Sequence, residues 1–175
     1  MDKYFENQYK RTREFYKEFY YIMILKSPIV IMVKIVTLIL ILLFVIFFLI
    51  SEPFSARQFL RIFLAYVFLW SVIFIRYFTE VKYGCKRELK TNNGEFFEVK
   101  FTATENEIEI SHVNNENKEY IIRVAYDKIK KVIKTNNYCF LISEAKFAHA
   151  FKNDSFTHGN LEDFLLFLES KGFKR

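Results

Sequence analysis

Little in this chain bends or breaks a backbone: its 175 residues include four glycines and two prolines. Gly84, Gly94, Gly159 and Gly172 stand far apart, which excludes the clustered glycine loops that cradle phosphates. Histidine is equally scarce. His112, His149 and His158 show no His-x-x-x-His or Glu-partnered spacing, so a zinc site is not expected and neither is any other cofactor. Each histidine reads as a surface or internally satisfied structural residue. The two cysteines, Cys85 and Cys139, lack metal-type spacing and are expected to be reduced thiols. Cys139 falls in an alternating pattern and reads as a small, half-buried residue. Neither a Gly-x-Ser-x-Gly elbow nor a kinase-type motif set occurs. Glu105, Glu107 and Glu109 alternate as the outer face of a strand would. Enzymatic chemistry is therefore not expected.

Abundant instead are long apolar runs. Ile29–Ile50 and Phe59–Phe78 are separated by a polar stretch, 51–58, and each reaches the roughly 20 residues a helix needs to cross a hydrocarbon core. Lys34, Arg61 and Arg76 lie near the ends of the runs, where long cationic stems reach an interface. The pattern predicts a two-helix transmembrane hairpin. Lys10, Arg11, Arg13, Lys17 and Lys26 precede it, and Arg76, Lys82, Lys86, Arg87 and Lys90 follow. Positive flanks favour the cytoplasm, which predicts a cytoplasmic (inner) membrane protein with both termini cytoplasmic and the short loop outside. The first run starts too late, and is too long, for a secretory signal. No intramembrane acid, Pro/Gly-broken helix pair or internal repeat suggests a transporter.

The net charge of +6 belongs to these flanks, since the sequence beyond Glu80 is nearly balanced. That argues for anionic headgroups as counter-charge and against nucleic acid.

Four segments follow. Residues 1–27 are read as a cytoplasmic amphipathic helix, with Phe15, Tyr16, Phe19, Tyr20 and Met23 at helical spacing opposite Arg11, Glu14, Lys17 and Glu18. Such a helix suits the headgroup region or the surface of a cytoplasmic domain. Ser27-Pro28 breaks it. Residues 28–78 form the hairpin and 79–91 a helical extension. Residues 92–175 change period to two: Phe97, Val99, Phe101 and Ala103 alternate with polar residues, as do Ile108 with Ile110 and Tyr120 through Tyr126. Lys130–Lys134, Tyr138–Ser143 and Phe147–Lys152 complete about six antiparallel strands, with Asn136-Asn137 as a tight turn. Asn160 caps a final helix whose apolar stripe is Leu161, Phe164, Leu165 and Leu168, stopped by Gly172. The predicted class is an α+β membrane protein: the hairpin, then a small antiparallel sheet or barrel closed by that C-terminal amphipathic helix, in the manner of a pleckstrin-homology (PH) domain.

Tyr126–Tyr138, Lys152–Phe156 and the closing helix resemble the YcxB-like family of small bacterial membrane proteins. The likeness covers nearly the whole chain in architecture and residues 97–172 in pattern. It implies two spans followed by a PH-like cytoplasmic domain. Where that family carries an Ile-Pro-Lys-like step before its last helix, this chain has Ala150-Phe151-Lys152, without the proline. The resemblance carries over no functional residues.

One constellation has binding potential. Lys128, Lys130 and Lys134 form a basic stripe, with Lys131 on the other side and Lys152 on a later strand. Beneath a membrane such a patch meets lipid phosphates at about 1 kcal/mol per cation; equally, lysines guard a strand edge against aggregation. The expected function is a non-enzymatic, membrane-anchored module that binds a protein partner or its own copy. A lipid-headgroup reader is the alternative; an enzyme or transporter accessory subunit ranks below both.

Overall fold

The computed structural model describes residues 4–50, 56–113, 119–144 and 147–173. The loop expected outside the membrane falls largely on 51–55, and the turn expected at 143–146 partly on 145–146; both sets lie outside the described residues. The chain divides into two compact units, Tyr20–Tyr83 and a second formed by Met1–Phe19 with Gly84–Arg175.

The second unit is built on strands. Eight occur among the described residues: β1 (Phe5–Lys10), β2 (Glu98–Ala103), β3 (Glu107–Val113), β4 (Glu119–Ala125), β5 (Ile129–Lys134), β6 (Tyr138–Ser143), β7 (Ala148–Lys152) and β8 (Phe156–His158). They form a five-stranded sheet ordered β4-β3-β2-β1-β8 and a three-stranded sheet ordered β5-β6-β7. Two separate sheets therefore replace the single sheet or barrel expected from the sequence.

The N-terminal strand is the largest departure. Residues 5–10, read as part of a helix, pair antiparallel with β2 from Phe5↔Ala103 to Lys10↔Glu98 and with β8 on the other side. Phe5, Asn7 and Tyr9 are buried while Gln8 and Lys10 face water, a period of two. A polar residue at the middle inward position hides that period.

Asn7, fully buried, has a specific task. Its amide donates to the Lys152 carbonyl at 2.7 Å and accepts from the Lys152 N–H at 3.2 Å. Two positions on, the Tyr9 hydroxyl donates to the Ala150 carbonyl at 2.9 Å. Side chains of β1 thus satisfy the edge of β7 that β6 leaves open, as buried backbone groups require.

Helix α1 (Arg13–Tyr20) lays Phe15 and Phe19 on β6, with ring centroids 5.5 Å from Tyr138 and 6.0–6.3 Å from Phe140. A second aromatic cluster forms the main core. Phe164 stacks edge-on against Phe151 at 4.8 Å and Phe101 at 5.6 Å, with Phe5 at 5.1 Å, so one ring touches both sheets. Its helix, Leu161–Ser170, starts where Asn160 Oδ1 accepts the Asp163 N–H at 2.9 Å. Gly159 precedes it at φ +75°, with no room for a side chain: a Cβ there would sit 2.5 Å from the Phe5 ring.

The other unit is helical. A π-helical turn (Tyr21–Leu25) continues from α1, and α2 (Pro28–Ile50) restarts after Ser27. Helix α3 (Ala56–Thr91) runs for 36 residues; the Leu161–Ser170 helix is accordingly α4. Lys34 of α2 places its ammonium 5.9 Å from the Trp70 ring of α3, a cation–π contact.

Here the expected two-helix transmembrane hairpin is overturned. Among the described residues one helix alone, over Leu60–Thr91, is long and apolar enough to cross a membrane. Arg13–Leu25 and Pro28–Leu43 join across a 58° bend, as in a broken span. Among the described residues the class is α+β, with four α-helices and two sheets.

Candidate functional site

The polar centre of the strand unit is Glu88, near the end of α3. It is 5% exposed, too buried to keep a bare charge. Three donors answer it: the Tyr16 hydroxyl on one carboxylate oxygen, the Arg11 guanidinium at 3.1 Å on the same oxygen, and the Phe97 backbone N–H at 2.7 Å on the other. The residue just past β1, the helix that follows and the start of β2 thereby converge on one carboxylate.

Beside this cluster lies a cleft of about 170 Å³. Arg11, His112 and His149 give it polar walls; Val99, Ile110, Ile122, Phe147, Ala148 and Ala150 line the rest. Cavities of this size hold a benzene-sized group. His112 shares the inward face of β3 with Ile108 and Ile110, and His149 shares that of β7 with Phe151.

Burial, and after it the Arg11 charge and the neighbouring His149, hold the His112 imidazole down at about 4. Burial and Arg11 lower His149 as well. Both rings are thus neutral at pH 7. The Arg11 Nε and His112 Nδ1 are buried without a hydrogen-bond partner among the described residues. Chemically the cleft offers hydrogen-bond donors and acceptors on an apolar wall. Among the described residues no carboxylate lines it, and no three His, Cys, Asp or Glu side chains gather at metal-holding distance.

Neither histidine was singled out by spacing, because they come from strands of different sheets. The signal that marks them is parity: each falls on the inward side of its alternating strand. Cys139 is fully buried, and burial pushes its thiol up to about 12, so it is an inert core residue.

The lysines singled out from sequence, the stripe Lys128, Lys130 and Lys134 with Lys152 on a later strand, stand in different settings. Lys128 sits in a 3₁₀ turn, 3.5 Å from Asp127. The β5–β6 register slips between Ile129 and Lys131, leaving Lys130 at a bulge. Lys134 stands opposite Cys139 and Lys152 opposite Tyr138; adjacent residues of one strand face opposite ways, so these two lysines lie on opposite faces of the three-stranded sheet. Lys152 is also 3.2 Å from Asp154, whose carboxyl it holds below its usual range.

No family model, curated protein or solved structure matches this chain, and the likeness to the YcxB-like family rests on the residues quoted above.

Proposed function

We propose that the protein is a non-enzymatic, membrane-anchored interaction module. In this reading Tyr20–Tyr83 is embedded in a bilayer, and the strand unit engages a protein partner or a second copy. The observation that carries it is exposure: Ile29 is 72%, Leu38 68% and Phe68 71% exposed, along helices whose apolar residues continue on every side. Isolated exposed apolar residues are ordinary; a continuous apolar surface of this extent needs lipid or protein over it.

The segment before the anchor contributes β1 and the segment after it contributes β2, neighbours in one sheet, so both flanks of the anchor belong to the strand unit. Arg13, Lys17 and Lys26 before it, with Lys82, Lys86 and Arg87 after it, favour the cytoplasmic face.

Alkaline extraction of membranes holding the full chain tests the anchor. Retention in the pellet at high pH is expected; release into the supernatant would contradict embedding.

A further inference from the structure

Strands β8 and β4 are the two edges of the five-stranded sheet, and among the described residues β4 pairs with β3 alone. Strand β4 carries Tyr120, Ile121 and Ile122 in succession, 57%, 50% and 41% exposed. An open edge with three large apolar residues is a template for strand addition unless something covers it. Its charges are Glu119 and Arg123; β4 has neither lysine nor proline and pairs with β3 without a bulge.

We infer that a second copy of β4 covers this edge, antiparallel across a two-fold axis at Ile121. The register follows from charge. Glu119, Ile121 and Arg123 occupy one face of the strand, and Tyr120, Ile122 and Val124 the other. With Ile121 opposite its own copy, Glu119 of each chain faces Arg123 of the other at both ends of the contact. Tyr120 then faces the other chain's Ile122, an aromatic and β-branched pair of the kind that stabilises sheets. Moving the axis to Ile122 would put Arg123 opposite an isoleucine and Glu119 opposite Ala125, leaving both charges without a partner. Symmetry of this type closes after two chains instead of propagating. Arg123 already reaches Glu109 at 3.1 Å and Glu107 at 3.9 Å in its own chain; its guanidinium has five N–H donors and can serve a further carboxylate.

This pairing deepens the interaction-module reading and rests on it, by naming the partner as this same chain. The test uses the full chain in detergent micelles, with light scattering counting chains per particle. Two chains are expected for the unmodified protein and one each for Glu119→Arg and Arg123→Glu. Mixing the two variants restores two chains per particle, because the introduced arginine then meets the introduced glutamate at one end and the native Arg123 meets the native Glu119 at the other. A dimer that survives either single substitution, or a mixture that stays monomeric, overturns the pairing.

Among the described residues Glu119 makes no ion pair within its own chain, but Arg123→Glu sits beside two glutamates, so a crosslink provides a second readout. Ile121→Cys in a Cys85→Ser background is expected to give a covalent dimer on mild oxidation, and to lose most of it when Glu119→Arg is added. Absence of the crosslink overturns the register. A monomer retained in membranes at high pH would sink the pairing and leave the anchor standing; a dimer released at high pH would do the reverse.

Discussion

Phe101, Phe151 and Phe164 are fully buried, whereas Phe68 and Phe78 are 71% and 65% exposed. The same side chain thus has opposite surroundings in the two units of one molecule. In the strand unit apolar residues recur every second position, and the intervening positions are polar. In Tyr20–Tyr83 they occur on all sides of α2 and α3, which leaves no polar face to turn toward water. Period, more than apolar content, separates a core that is covered by its own fold from a surface that must be covered from outside.

The sharpest way to break this contrast is to cut the same ring in both places. Phe164→Ala removes the ring that touches β1, β2, β7 and β8 and is expected to cost about 3–5 kcal/mol, read as a large drop in the unfolding temperature of the full chain in detergent. Phe68→Ala is expected to change that temperature little, within about 0.5 kcal/mol. Equal effects would erase the distinction between the units.

Next in size is the polar centre. Glu88→Ala strands the Arg11 charge and frees the Tyr16 hydroxyl and Phe97 N–H, for an expected loss of about 2–4 kcal/mol in denaturant unfolding. An effect below about 1 kcal/mol would mean that the three donors find water instead.

A smaller effect comes from His112. The unfolded chain takes up this proton as pH falls through about 6.5, while the folded chain resists until about 4. Its contribution is therefore full above pH 6.5 and lost progressively toward pH 4. The unfolding temperature is expected to be several degrees lower at pH 4.5 than at pH 7, with part of that slope removed by His112→Asn. An unchanged slope would show that the ring is not buried as described.

The smallest effect concerns the lysines. Lys134→Glu and Lys152→Glu, on opposite faces of one sheet, are expected to leave membrane retention almost unchanged in alkaline extraction.

These elements differ in how far they can be read from the chain. Val99, Phe101, Ile108 and Ile110 announce β2 and β3 because their partners are equally apolar, and Asn160 with Asp163 announces α4 because a cap is local. Strand β1 is hidden because Asn7 is polar where the period demands an apolar residue; its reason is the Lys152 backbone, distant in sequence. The cleft is hidden for a similar cause: Arg11, His112 and His149 meet only through sheet packing. Sequence shows the length of the apolar runs but not the 58° bend between Arg13–Leu25 and Pro28–Leu43. A one-residue bulge at Lys130, invisible in the sequence, resets the alternation of β5, and Lys134 and Lys152 take opposite faces of their sheet.

The central claim is that lipid covers Tyr20–Tyr83 and water surrounds the strand unit. Nitroxide labels at Phe68→Cys in α3 and Lys100→Cys in β2, each in a Cys85→Ser, Cys139→Ala background reconstituted in bilayers, test it most directly. Collisions with oxygen are expected to exceed those with a water-soluble nickel chelate at position 68, and the order to reverse at position 100. Nickel access at position 68 equal to that at position 100 would contradict the account.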